Sequence, residues 1–332
     1  MYSVKLASKT AIILTDRRLV KELMDKRSAV SSNRPQFYVM DTMIYGGDDM
    51  LVMQASDPRW RTARKFLHQN FMGSMVEKQH MPLLNAEAVQ MLRDICVEPH
   101  EFMKHSKRFG NSFIMSVGQY LPALPGFHSS PPVTDDITGY GIRTPHTKIK
   151  HMIQINHVLS KTTTLLQPGT LPPVDIFPFL KLVPERFLGN WVSKVMDVSK
   201  EMNELYSSYM DIVQDRRKQE GRRETFADRL IEQQQELGWT WHQLCFMAGL
   251  LMEAGSDTTA NTINAFVHLM TKFPEAAKRA QKQIDEVVGE ERTPVWEDFD
   301  HLPIVNAMIK ETIRFRPIAP IGFPHALSEG KY

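Results

Sequence analysis

The sequence predicts a mainly α-helical fold with a small β portion, and three features carry that expectation. Helix-opening signatures recur along the chain: Asp57-Pro58, Thr240 with Gln243 three residues on, Pro274 and Pro303. Each joins a capping side chain or an N-terminal proline to a helical run. The run from Thr240 to Phe273 holds no proline and extends roughly 32 residues, about 48 Å at 1.5 Å per residue. Strand-like alternation appears in the opening residues, Ser3 to Leu14, as a short strand, a turn and a second strand.

In chain order, Asp16 is placed to cap a helix through about Met24, and Asp57-Pro58 opens a helix carrying Trp60, Arg64 and Phe71. Further helical stretches are expected over about 76–97, 148–166, 189–219 and 224–237. Pro274 ends the long helix and starts the next, which Gly289 closes; Pro303 opens another, which Arg316-Pro317 closes. Residues 318–327 are proline-punctuated and read as extended. Residues 118–146, rich in Pro, Gly and Ser, read as a loop-like insert.

Composition narrows the function classes. The 40 Lys and Arg balance 38 Asp and Glu, which gives no electrostatic footprint for nucleic acid. Two cysteines, Cys96 and Cys245, make neither a disulfide framework nor a zinc cage. No apolar run reaches the roughly 18 residues that a membrane-spanning helix needs.

Four local features could carry chemistry. Ala254-Gly255-Ser256-Asp257-Thr258-Thr259 sets poor helix formers and a polar pair inside an apolar helix. Gly255 would let something large and flat approach the backbone. Glu311 and Arg314 lie three apart on one helix face and can pair. Trp60 and Arg64, four apart, can aim an indole N–H and a guanidinium at one carboxylate or phosphate. His325 follows in the extended segment. Each alone has an ordinary explanation: a helix kink holding a water, a solvated ion pair, an arginine stacked on a tryptophan, an isolated histidine.

Together, in this order, they resemble the cytochrome P450 monooxygenases. Trp60-x-x-x-Arg64 is similar to the WxxxR of their helix C, Ala254-Gly255-x-Asp257-Thr258-Thr259 to the [AG]Gx[DE]T[TS] of helix I, and Glu311-x-x-Arg314 with Arg316-Pro317 to the ExxR…RP of helix K. Lys310-Glu311-Thr312 and Pro324-His325-Ala326 look most like fungal members that tailor secondary metabolites. The resemblance implies a haem cofactor, an apolar small-molecule substrate and NADPH-cytochrome P450 reductase as electron donor. For the intact family member it implies the endoplasmic reticulum membrane.

By that resemblance Trp60, Arg64 and His325 hold haem propionates, and Gly255 lets the helix pass close to the porphyrin. Asp257 and Thr258 form the acid–alcohol pair that handles protons on the oxygen side, and Glu311 with Arg314 makes a buried structural pair. The family's iron ligand is a cysteine in FxxGxRxCxG, roughly a hundred residues beyond ExxR, and neither Cys96 nor Cys245 has that context. The expectation is therefore an incomplete P450 fold, without N-terminal anchor or haem-thiolate region, and without monooxygenase activity as this chain. A haem-free remnant that binds apolar ligands or acts as a scaffold is the alternative.

Pro184-Glu185-Arg186-Phe187 spells the family's PERF, but it precedes the helix I motif rather than following helix K, so it is read as chance. Gly118-Gln119-Tyr120 can be encoded with GTCAGT, a plausible intron donor, and Thr138-Gly139 can end on ACA-G. Residues 119–139 are thus expected to be a retained-intron insert, whose removal joins Gly118 to Tyr140. Gly330-Lys331-Tyr332 can likewise contain GTAAGT, which suggests read-through.

Overall fold

The computed structural model describes residues 1–7, 9–73, 76–116, 144, 146–223 and 225–328. Strands β1 (Tyr2–Leu6) and β2 (Lys9–Ile13) pair antiparallel as a hairpin, Tyr2 opposite Ile13 and Leu6 opposite Lys9. The Asp16 side chain then accepts from the Arg18 amide at 2.7 Å and caps a helical turn over Arg17–Val20. The turn continues as wider coils through Lys26.

Helix α1 (Pro58–Phe71) opens as its sequence demands. The Asp57 carboxylate accepts from the Arg59 amide at 2.8 Å, and proline fills the first helical position. Next come α2 (Met81–Val97), α3 (Phe102–Ser116) and α4 (Lys150–Leu165). Residues 117–143, which contain the expected insert 119–139, lie outside the described residues. Helix α5 (Trp191–Glu220) and short α6 (Phe226–Glu232) lead to α7 (Trp241–Lys272). A reciprocal Thr240–Gln243 capping box starts α7. Helices α8 (Pro274–Val287) and α9 (Pro303–Phe315) follow, each with proline in its first turn.

Helix α7 runs through the centre. Its segment from Leu244 to Leu250 is buried throughout. It packs on α5, whose Val195, Met202, Tyr206 and Met210 have essentially no exposure. Each such side chain contributes about 1.5–3 kcal/mol on leaving water. The other face of α7 crosses α3, for which the sequence spacing gives no separate helix. Nine residues of α3 are buried, among them Ser106, Gly110, Asn111 and Ser112. These poor helix formers are small enough to let two backbones meet, and tertiary packing overrides their propensity.

One expectation is corrected here. The helix expected over 224–237 breaks at Gln233 into α6 and a separate turn, Gln234–Leu237. The chance PERF segment has a local duty: Glu185 accepts from both the amide and the hydroxyl of Ser193 at 2.8 Å, capping α5, while Arg186 lies over its neighbour Phe187.

Candidate functional site

The first group of predicted residues gathers around α1. Four residues apart on one face, Arg64 stacks its guanidinium over Trp60, Cζ 5.9 Å from the ring centroid. Trp60 is half-buried and Arg64 is exposed. Arg34, which the sequence reading missed, completes the group. Its Nε donates to the Leu51 carbonyl at 2.9 Å, and its Nη1 donates to the carbonyls of Phe323 and Pro324 at 3.2 and 3.0 Å. It also lies over the Phe323 ring.

Burial, and next the nearby Arg64 charge, push the pKa of Arg34 down. Two guanidinium groups that repel each other make a place where an anion is stabilised. No spacing rule would have revealed Arg34, because its partners are backbone carbonyls 17 and about 290 residues away.

The same contacts bring His325 in. Ala326 bridges to Asn33, its amide 2.6 Å from the Asn33 carbonyl. His325 Nδ1 donates to the Ser31 carbonyl at 2.7 Å. A proton fixed on Nδ1 leaves Nε2 as the atom available to a ligand.

The second group lies on α7. Ala254, Thr258 and Asn261, at helical spacing, form an exposed stripe only one turn beyond the fully buried 244–250 segment. The Thr258 hydroxyl donates back to the Ala254 carbonyl at 2.5 Å, and Thr262 repeats the bond onto Thr258. Asp257 is half-buried, and its Oδ1 lies 3.4 Å from Lys107 Nζ of α3.

A Cβ built on Gly255 would sit 2.5 Å from Cγ1 of Ile114, so the space a side chain would take there is filled by an isoleucine of α3. Gly110 answers from the other side, where a Cβ would stand 2.8 Å from the Ser256 carbonyl. Asn111 Nδ2 donates to Ser256 Oγ at 3.2 Å across the same crossing.

Glu311 and Arg314 are a bidentate pair at 2.6 and 2.7 Å, as their spacing predicts. They are not buried: both side chains keep more than half their exposure. Only Thr312 of α9 is buried, so the face bearing the pair points to solvent. Among these residues no cysteine suits a metal. Cys245 is buried in the hydrophobic core, where burial pushes its thiol up to about 12, and Cys96 is exposed near the end of α2.

An arginine stacked on a tryptophan in α1 and a central helix bearing Asp257 and Thr258 stand in the chain order of one class of protein. The sequence model of the cytochrome P450 family matches residues 1–118 and 140–330, and the chain belongs to that family. It is similar to the cytochrome P450 monooxygenase macC of Penicillium terrestre, 40% identical over 99% of this chain and 58% of the relative. Likewise it is 41% identical to yanC of Aspergillus niger and 37% identical to patH of Penicillium expansum, both named as cytochrome P450 monooxygenases. The chain thus spans somewhat over half the length of the curated relatives it matches.

The family's cofactor is haem, and the residues present fit two of its edges. Arg34, with Arg64 lying over Trp60, would suit a pair of propionates. The exposed Ala254–Thr258 stripe offers a polar step on an open face.

Proposed function

We propose that the protein serves haem-dependent monooxygenation of an apolar organic compound of the secondary-metabolite kind, with electrons from NADPH-cytochrome P450 reductase. The observation that carries this reading is the Arg34–Arg64 couple stacked around Trp60 and Phe323, a cationic site built by segments far apart in sequence. Arg64 and Arg34 would hold the propionates as charge-assisted pairs, and His325 Nε2 would be a further donor at the same edge. When bound, haem supplies the iron chemistry that activates oxygen.

The chain's own residues handle protons there. Asp257 is an acid held beside the Lys107 ammonium at the surface end of the α3–α7 crossing. The Thr258 hydroxyl, one residue on, can leave the Ala254 carbonyl and turn to a ligand on the exposed face. An axial thiolate comes from neither cysteine, so the 332 residues alone would not carry the reaction. Residues 119–139 are proposed to be an insert in the gene product. The family match breaks at Gly118 and resumes at Tyr140, which supports that reading; sequencing of the mature transcript tests it, and a message that keeps those codons contradicts it. No helix among the described residues is long and apolar enough to cross a membrane. The membrane location usual for the family is proposed by membership alone.

Haemin titration tests the anion site. Arg64→Leu should weaken haemin binding about tenfold or more, since a charge-assisted hydrogen bond contributes about 1.5–3 kcal/mol. The same substitution should leave binding of the dimethyl ester of haemin unchanged. Arg64 is exposed, so the fold tolerates the change. Equal haemin affinity in the two proteins would contradict the assignment.

A further inference from the structure

Next to the exposed stripe of α7 lies a corner that the proposed reaction does not use. The turn over 45–53 reverses at Gly46 and Gly47, both at positive φ, and sends two successive aspartates opposite ways. Asp48 meets Arg59 Nη1 at 2.7 Å and His242 Nδ1 at 2.6 Å. Asp49 points inward and has no solvent exposure. Its Oδ1 accepts from the Leu51 amide at 2.6 Å, while its Oδ2 is buried with no hydrogen-bond partner among the described residues.

Facing it is Glu253 of α7, whose carboxyl sits deep among protein atoms although part of the residue keeps solvent access. Tyr45 donates to Glu253 Oε1 at 2.7 Å, and Tyr206 of α5 donates to Oε2 at 3.3 Å. The Tyr206 ring reaches this corner because it lies on Gly249, where any Cβ would overlap it.

We propose that Asp49 is a proton-holding positioning residue: a neutral carboxylic acid inside the protein that spares Glu253 a second buried anion, so that the Tyr45 bond to Glu253 clasps the 45–53 turn onto α7. Two buried carboxyls without a cation do not both ionise. The proton falls on Asp49 because the two phenol O–H groups stabilise the anion of Glu253. Asp49 has one amide and an orphan oxygen. Every other charged group at the corner agrees. Asp41, from the segment before the turn, adds repulsion, and both the Arg59 guanidinium and the His242 ring are engaged by Asp48. Burial first, then the Glu253 charge, hold the Asp49 carboxyl well above the usual carboxylate range.

The sign follows from linkage. A carboxyl raised in the folded state contributes its stability fully below the ordinary carboxylate range. That contribution is lost as pH climbs through its raised value. Ionisation would place two anions in one buried corner and free the turn from α7. Glu253 directly precedes Ala254, so the clasp would fix a wall beside the proposed oxygen side. That last consequence rests on the haem reading; the protonation does not.

Infrared spectroscopy of the full chain in heavy water at neutral pH tests the proposal. A carboxylic-acid carbonyl band above the amide region is expected. It should shift on labelling aspartate with 13C but not glutamate, persist in Asp41→Asn and vanish in Asp49→Asn. No such band, a band that moves only with labelled glutamate, loss in Asp41→Asn or persistence in Asp49→Asn would each overturn it. Should Asp49→Asn fail to fold, the labels and Asp41→Asn decide alone. Amide exchange over 45–53, corrected for intrinsic rate, should accelerate with rising pH; a flat profile would overturn the clasp.

Discussion

Gly255 shows how one missing side chain is spent. Its notch is filled by Ile114 at a distance that leaves no room for a methyl group. Gly255→Ala should therefore destabilise the protein by about 1–3 kcal/mol, the usual cost of overpacking, despite the roughly 1 kcal/mol that alanine gains over glycine within a helix. Ile114 Cβ itself stands 2.8 Å from that added carbon, so only an Ile114→Gly background removes the clash, and there the same substitution should become stabilising. Urea unfolding of the four proteins reads this out, and equal effects in both backgrounds would contradict the packing role. The sequence exposes an anomalous glycine there, but not its occupant, because the partner helix lies about 140 residues earlier. Trp60 and Arg64 were legible because both sit on one helix turn. Arg34 was not, since its role depends on carbonyls brought in by the tail.

At the scale of elements, the crossing of α3 with α7 is stitched by a directional polar chain. Asn111 Nδ2 donates to Ser256 Oγ, and Thr144 Oγ1 donates to Asn111 Oδ1 at 2.8 Å. The Thr144 proton is thereby used, so at its 2.8 Å contact with His151 Nε2 the threonine oxygen accepts. His151 of α4 thus carries a proton on Nε2, and burial, then the His146 charge, push its pKa down to about 4, so that the ring is neutral near pH 7. The unfolded chain, near 6.5, binds the proton more readily. This contribution to stability is present above pH 6.5 and lost as pH falls toward 4. His151→Gln keeps a donor without titrating, so thermal unfolding of the variant should lose less stability across that window; parallel curves would contradict the assignment. Helices with their own start signals, such as α1 and α7, could be read directly. Helix α3 could not, because its small polar residues are chosen by the crossing rather than by local propensity. The buried Glu87–Arg108 pair at 2.6 Å and the Asp94 contact at 3.1 Å, which anchor α3 to α2, left no periodic trace either.

For the whole molecule, order along the chain was more informative than any single motif. Trp60-x-x-x-Arg64, the Asp257-Thr258 step and Glu311-x-x-Arg314 each have ordinary explanations. Their succession matched a family whose sequence model covers residues 1–118 and 140–330. The family resemblance also implied a buried Glu311–Arg314 pair, whereas the structure leaves it exposed on α9, as the residues alone suggested. Burial depends on what packs over a helix face, and a spacing of three residues specifies only that two side chains meet.

We propose that these residues build the propionate edge and the proton-handling face of a haem pocket, and that neither the exposed Cys96 nor the buried Cys245 is the iron ligand. The carbon monoxide difference spectrum of the reduced, haem-reconstituted 332-residue protein tests it most directly. Haem retained in an Arg64-dependent way, with no thiolate-type Soret band, is the predicted result; a thiolate-type band would contradict it.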